Sequence, residues 1–159
     1  MNFSRYFIFL LVIFLSSAAF GQRNFVEDAD RDFEDMKYSV AVEKYKKAYS
    51  KTKDRDEKNR IRFQMGECYR MMNNARRAEV YYKSLYRTGY YKKNPIVLLY
   101  YGEMMKINMK YDEAVPIFEE YIKVRPDDPR GPDGLKSVHM QKEWTSNPTN
   151  HTITNVKDI

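Results

Sequence analysis

The side chains most often used in catalysis are scarce in this sequence. It contains two histidines, His139 and His151, and a single cysteine, Cys68. Their spacing indicates no acid–histidine–nucleophile arrangement, and no phosphate-binding glycine loop, paired-histidine zinc motif or EF-hand loop occurs. Cys68 lies among apolar residues at helical spacing, which predicts a buried small side chain rather than a reactive thiol. We therefore expect no enzymatic activity, no cofactor and no metal site.

The charged residues are numerous but mixed in sign. They make up 31% of the 159 residues and give a formal net charge of +6. Basic and acidic residues alternate, as in 51–58 (KTKDRDEK), which is typical of a solvated helix surface rather than of a nucleic-acid site. We expect no nucleic-acid partner. The excess positive charge leaves open a weak attraction to an acidic protein or an anionic envelope polymer.

The first 21 residues have the features of an export signal. Arg5 is followed by an apolar run of about ten residues at 6–15, and the small residues Ala19 and Gly21 precede Gln22. A membrane-spanning helix needs roughly 18–20 apolar residues, and two serines interrupt this run too early. We predict that residues 1–21 are a cleaved signal peptide; a retained membrane anchor is the alternative.

A repeated pattern organises the rest of the chain. Each copy has a small residue, an aromatic residue four positions later and an apolar residue three positions after that. The alanines that open the pattern are 37 and 36 residues apart, which predicts a repeating helix–turn–helix unit. The three copies are 38–48, 75–85 and 111–121, opened by Ala41, Ala78 and Ala114.

A second small residue lies twelve positions before each of these alanines, namely Ala29, Gly66 and Gly102. A glycine within a helix costs about 1 kcal/mol relative to alanine. Its recurrence at the same offset predicts a close approach of two helices, where a β-carbon would not fit. The apolar spacing around these residues predicts helices near 24–36, 39–52, 55–72, 75–88, 95–107, 111–124 and 130–144.

These segments resemble tetratricopeptide (TPR) motifs. The resemblance implies an all-α fold, a TPR-type α-solenoid of about three helical hairpins over residues 22–144. The last helix, with Leu135, Val138, Met140 and Trp144, is expected to cap the third repeat. Arg62 and Leu85 depart from the consensus in the second repeat. The third repeat matches best, with Leu98, Tyr101, Gly102, Tyr111, Ala114, Phe118 and Pro126; the second has Met65, Gly66, Tyr69, Ala78 and Tyr82, and the first Ala29, Tyr38, Ala41, Tyr45 and Ala48.

The same resemblance implies that the first helix of each hairpin lines a concave groove. A groove with apolar surfaces and both charge signs would suit an extended peptide or a partner helix. Phe63 and Glu67 stand where the TPR clamp for acidic C-terminal peptides needs basic or asparagine residues, so that ligand is not expected. The predicted groove residues are Arg60, Phe63, Glu67, Arg70 and Met71 in the second repeat, and Ile96, Leu99, Glu103, Lys106 and Ile107 in the third.

Three pairs of adjacent tyrosines could suggest stacking on a sugar. Adjacent residues on a helix point about 100° apart, so one pair cannot form a flat platform. We predict instead that each pair has one ring in the core and one on the surface. The pairs are Tyr81–Tyr82, Tyr90–Tyr91 and Tyr100–Tyr101.

A more specific resemblance concerns the whole arrangement. The segments 33–48, 68–70 and 111–114, followed by Trp144 and the Ile-Thr-Asn of 153–155, are similar to the N-terminal TPR region of Bacteroidetes OmpA-family envelope proteins. In those proteins a β-propeller and a peptidoglycan-binding domain follow, and some are linked to type IX secretion and gliding.

This resemblance implies a place in the periplasm or on the periplasmic face of the outer membrane. It further implies a protein or peptide partner, contact with peptidoglycan through a downstream domain, and contact with the membrane only through partners. Residues 145–159 are then a linker or the start of a β-rich domain. Two alternatives stay open: the TPR block itself recognises peptidoglycan or another glycan, or it is an accessory arm of a larger envelope protein.

Overall fold

The computed structural model describes residues 25–147, and these form seven α-helices and no strand. The predicted signal peptide and residues 148–159 lie outside this range. Every predicted helix is present, with ends that differ by at most two residues. The helices are α1 (25–34), α2 (Tyr38–Lys51), α3 (Arg55–Met71), α4 (Ala75–Arg87), α5 (Ile96–Ile107), α6 (Tyr111–Val124) and α7 (Arg130–Ser146), with a 3₁₀ turn at Tyr90–Lys92 between α4 and α5.

The helices pack in chain order. From α2 onwards each helix contacts the next, and α7 contacts both α5 and α6. On the first hairpin, Tyr45 of α2 donates a hydrogen bond to Asp30 of α1. Because consecutive helices are joined by short connections and pack together, they run antiparallel as stacked hairpins: α1–α2, α3–α4 and α5–α6. The prediction of an all-helical solenoid is confirmed.

Each hairpin turns through the same three-residue connection, at 35–37, 72–74 and 108–110. The middle residues Met36, Asn73 and Met109 have φ of 59°, 55° and 61°. In each turn the next amide bonds back to the carbonyl five residues earlier, as Lys37 N does to Asp32 O at 2.8 Å. This is the Schellman ending of a helix, in which a left-handed residue satisfies the last carbonyls.

The small residues of the repeat lie at the helix crossings, as predicted. Ala29, Ala41, Ala78 and Ala114 are fully buried. A β-carbon on Gly66 would lie 3.0 Å from Cε1 of Tyr82, and one on Gly102 would lie 2.9 Å from two ring carbons of Phe118. In these two hairpins the missing side chain therefore provides the room for the aromatic ring of the second helix.

The capping helix α7 packs differently from the prediction. Val138 is fully buried, but Trp144 is 64% exposed and Met140 is 40% exposed, so the expectation that they cover the third repeat is wrong. The close contact is made instead by Gly131 and Gly134, which lie against Tyr121, Ile122 and Phe118 of α6. In each of the three hairpins the second helix packs against the first and covers one of its sides. Within residues 25–147 no helix follows α7 to cover it in the same way.

The start of α7 is fixed by a buried carboxylate. Asp128 accepts hydrogen bonds from the Tyr121 hydroxyl at 2.6 Å and from the Arg130 guanidinium at 2.6 Å. It also accepts from the backbone amide of Arg130 at 3.0 Å. The Arg130 guanidinium, followed by the Tyr121 hydroxyl, holds the pKa of Asp128 well below its usual range.

We expect Asp128→Asn to reduce the acid sensitivity of the fold. A carboxyl whose pKa is depressed in the folded state stabilises it above the unfolded pKa, near 4, and loses this contribution as the pH falls further. As the pH is lowered from about 5 to 2, the melting temperature of the unsubstituted (parent) protein should therefore fall more steeply than that of the variant. Thermal unfolding followed by circular dichroism across this range measures the difference. Asp127→Asn, at the exposed neighbouring residue, should follow the parent curve.

Candidate functional site

The first helices of the hairpins, together with α7, form one continuous surface. The Arg60 guanidinium of α3 contacts the Asp30 carboxylate of α1 at 3.3 Å. The Phe63 ring of α3 stacks on Tyr100 of α5, with ring centroids 6.5 Å apart. Lys106 of α5 donates to the Ser137 hydroxyl of α7 at 3.2 Å. We call this surface, formed by α1, α3, α5 and α7, the groove face.

Tyr100 lies at the centre of the groove face. Its ring is partly exposed, lies 5.9 Å from that of Tyr82, and carries the Arg70 guanidinium 4.3 Å from its centroid. The TPR resemblance places the adjacent residue, Leu99, in the groove. Leu99 is fully buried, so that prediction is wrong. One residue corresponds to about 100° around a helix, which is enough to exchange a core position for a surface one.

An acidic residue recurs behind the groove face in every repeat. Asp30, Glu67 and Glu103 are 37 and 36 residues apart, the same spacing as the alanines. In the first repeat the Tyr45 hydroxyl donates to Asp30 at 2.5 Å, and in the second the Tyr82 hydroxyl donates to Glu67. Burial, followed by the neighbouring carboxylate, raises the pKa of both tyrosines well above the usual value. These buried phenols therefore stay protonated and serve as permanent donors.

Glu67 also connects the core to the groove face. Its carboxylate accepts two hydrogen bonds from the Arg70 guanidinium, at 2.6 and 3.0 Å. The Glu67 side chain is only 10% exposed and that of Arg70 26% exposed. Since Arg70 lies over the Tyr100 ring, the carboxylate fixes the orientation of the cation that a partner would meet.

The third repeat breaks this pattern. The residue equivalent to Tyr82 is Phe118, which has no hydroxyl, and within residues 25–147 Glu103 forms no hydrogen bond or ion pair through its side chain. Burial raises the pKa of Glu103, while the nearby cations Lys106, Arg70 and Arg130 act in the opposite direction. Glu103 is thus a partly buried carboxylate whose hydrogen-bonding capacity is unused by the fold.

The other predicted groove residues are spread along the face. Arg60 lies at the α1 end and pairs with Glu57 at 3.0 Å as well as with Asp30. Ile96 packs against the core. Met71 and Ile107 are 44% and 59% exposed, but they lie at the ends of their helices beside the hairpin turns. The structure therefore brings together only part of the predicted set: Phe63, Glu67, Arg70, Glu103 and Lys106, around the unpredicted Tyr100.

Two of the three tyrosine pairs behave as predicted. Tyr82 and Tyr101 are buried, while their neighbours Tyr81 and Tyr100 are partly exposed. The prediction is wrong for the third pair, because both rings, at positions 90 and 91, are partly buried. This pair lies on a 3₁₀ turn rather than an α-helix, after a glycine with φ of 74°.

Cys68 is fully buried, and burial raises the pKa of its thiol to about 12. The prediction of a buried small side chain is confirmed. Over the described range, no helix is both long and apolar enough to cross a membrane. The same residues include no group of three or more histidines, cysteines and acids that could hold a metal ion.

Solved structures with the same architecture are TPR domains. The Sgt2 TPR domain from Aspergillus fumigatus matches with a TM-score of 0.63 at 14% identity, over 87% of this chain and 90% of that one. The C-terminal TPR-containing domain of a Plasmodium falciparum FK506-binding protein matches with a TM-score of 0.66 at 17% identity, over 82% and 94% of the two chains. No protein-family model and no curated protein matches the sequence. The chain has the fold of a tetratricopeptide-repeat domain.

Proposed function

We propose that this protein is a scaffold that binds a segment of a partner protein in the groove face. The observation that carries the proposal is the partly buried Glu103 carboxylate, whose side chain forms no hydrogen bond or ion pair with a described residue, whereas the two preceding repeats use the equivalent acid internally. Partly buried carboxylates are normally paired, because desolvation of an unpaired charge is unfavourable. A partner that supplies the missing donor would remove this cost on binding.

The groove face defines the chemistry of that segment. The Phe63 and Tyr100 rings offer an apolar platform of the kind that anchors binding hot spots. Glu103 would accept a hydrogen bond from a lysine, an arginine or a backbone amide of the partner. Arg70, whose side chain is 26% exposed, would donate to a carbonyl or carboxylate. An extended peptide with an apolar residue next to a basic one meets all three requirements.

We further propose that the scaffold acts in the envelope of a bacterium of the Bacteroidetes type. The support is the signal-like segment 1–21 and the resemblance described above to the TPR region of OmpA-family proteins. In that setting the partner is a periplasmic or outer-membrane protein, such as a component of a secretion assembly. Any contact with peptidoglycan belongs to a downstream domain.

A capture experiment tests the proposal. The chain starting at Gln22 is immobilised, and proteins from an envelope extract are captured and identified by mass spectrometry. The affinity of the captured protein is then measured for the parent and for Tyr100→Ala and Glu103→Gln. Loss of a charge-assisted hydrogen bond or of a central aromatic anchor costs about 1.5–3 kcal/mol, so each variant should bind at least about tenfold more weakly.

The matched control is Tyr91→Ala, at a partly exposed ring outside the groove face, which should bind like the parent. Leu99 is unsuitable as a probe because its truncation would damage the core. Equal affinity of the parent and both groove variants would overturn the proposal. So would retention of the parent on purified cell-wall sacculi in the absence of any captured protein, which favours glycan recognition instead.

A further inference from the structure

The end of the array that carries the hairpin turns is rich in exposed apolar side chains. Among the described residues, ten large apolar side chains are exposed. Trp144 lies at the same end, because an ion pair between Lys142 and Asp112 ties the last part of α7 to the start of α6. Six of the ten lie in the three turns or within three residues of them: Met36, Val40, Met71, Met72, Ile107 and Met109. We call these six residues and Trp144 the hairpin edge.

Two of these methionines occupy an unfavourable backbone conformation. Met36 and Met109 have φ near +60°, and their side chains are 74% and 72% exposed. Glycine and asparagine adopt this conformation with less strain, and Asn73 does so at the same place in the middle turn. An exposed methionine there adds nothing to the core. Its presence in two of three turns indicates a role outside the fold.

A cationic pocket adjoins the middle turn. It has a volume of about 290 Å³ and is lined by Lys46, Tyr69, Arg77, Val80 and Tyr81. The Arg77 guanidinium lies 5.4 Å from the Tyr69 ring centroid, and the Tyr69 and Tyr81 rings stack at 5.4 Å. Arg77 forms no ion pair with any described residue, whereas Lys46 pairs with Glu43 at 2.7 Å.

The pocket is not a by-product of the repeat. One repeat later, the positions of Tyr69, Arg77 and Tyr81 are taken by a methionine, a glutamate and an isoleucine, at 105, 113 and 117. The start of α4 carries two consecutive arginines, Arg76 and Arg77, that form no ion pair with a described residue, whereas Arg70 before the turn is paired with Glu67. The unpaired positive charge of these two arginines therefore lies at the centre of the hairpin edge, between the apolar tips of the outer turns.

We propose that the hairpin edge docks onto an anionic lipid bilayer, with a headgroup phosphate in the Lys46–Arg77 pocket. Apolar tips and a tryptophan beside lysines and arginines are the composition that favours the boundary between headgroups and acyl chains. The apolar tips stand on three separate turns. Docking of this kind requires no spanning helix. It uses a different face from the groove.

Vesicle co-sedimentation tests this proposal with the chain starting at Gln22, which keeps the described core and lacks the apolar run at 6–15. Vesicles of phosphatidylcholine with 30% phosphatidylglycerol should bind the protein, and pure phosphatidylcholine vesicles should bind it much less. Each basic residue near an anionic surface contributes about fivefold in affinity, so Lys46→Gln with Arg77→Gln should weaken binding at least about tenfold. Inorganic phosphate should compete only weakly, because it lacks the apolar contact.

The paired substitution Met36→Asn and Met109→Asn separates membrane binding from folding. Asparagine suits the left-handed turn, so the melting temperature should stay equal or rise while vesicle binding falls at least about fivefold. Val124→Asn, at an exposed apolar residue on the opposite edge, and Tyr100→Ala, in the groove face, should bind vesicles like the parent. Vesicle binding that is unchanged in both the methionine and the Lys46/Arg77 variants would overturn the proposal.

Discussion

Gly134→Ala should destabilise this protein by about 2–3 kcal/mol, although alanine is the better helix former. The Phe118 ring is fully buried and clamped between two glycines. An added β-carbon on Gly134 would overlap Cε1 of the ring and lie 2.8 Å from Cδ1. The opposite edge of the ring faces Gly102, where a β-carbon would lie only 2.9 Å away, so the ring has little room to move aside. Overpacking then destabilises the fold by about 3 kcal/mol or more. The higher helix propensity of alanine offsets only about 1 kcal/mol of this.

Chemical denaturation of the parent, Gly134→Ala, Phe118→Leu and the double variant measures this effect as a double-mutant cycle. If Gly134 and Phe118 compete for the same space, the double variant should lose clearly less free energy of unfolding than the two single variants together. The reason is that leucine at 118 leaves room for the methyl group added at 134. Lys136→Ala, at an exposed position on the same helix, should change the free energy of unfolding by no more than about 0.5 kcal/mol. Additive losses in the cycle would show that the two residues do not compete for space.

The second large effect is expected at Glu67. We predict that Glu67→Ala lowers the free energy of unfolding by about 2–4 kcal/mol. The substitution leaves the fully buried Tyr82 hydroxyl without its acceptor and the Arg70 guanidinium without its counter-ion. Glu67→Gln keeps an acceptor oxygen and should lose only about 1 kcal/mol. Chemical denaturation measures both values.

Binding of the captured partner gives an independent measure for the same variants. In Glu67→Ala the Arg70 guanidinium over the Tyr100 ring is no longer held in place by a carboxylate. Partner affinity should therefore fall even when it is measured at a temperature where the variant is fully folded. The control is Glu57→Ala, which removes a half-exposed ion pair to Arg60 and should cost less than about 1 kcal/mol. Equal losses for Glu67→Ala and Glu57→Ala would contradict the assignment of Glu67 as a buried link.

The helices and their crossings could be predicted from the sequence because they depend on local, repeated features. Small residues recur at fixed offsets, and each of them indicates that two helix backbones approach closely. They are Gly66, Gly102 and the alanines Ala41, Ala78 and Ala114. The repeat spacing then sets the order and direction of the helices. No long-range information is needed for this part of the fold.

The groove and the cap depended on information that periodicity does not contain. A shift of one residue, from Leu99 to Tyr100, exchanges core for surface, and the apolar spacing of α5 allows either choice because nearly the whole helix is apolar. Glu103 lacks the tyrosine donor of the earlier repeats because Phe118, fifteen residues away in sequence, has no hydroxyl. Trp144 was misplaced because a large apolar residue on a terminal helix predicts burial only when another element is there to cover it.

The stacked hairpins have a mechanical consequence. Among the described residues from α2 onwards, the extensive contacts join helices that are adjacent or next but one in the chain. Small rotations at the junctions between hairpins can therefore add up along the chain while each interface keeps its own contacts. We therefore expect the array to be flexible along its length. Slight tightening of its superhelix would narrow the groove face around a bound segment, and slight loosening would widen it.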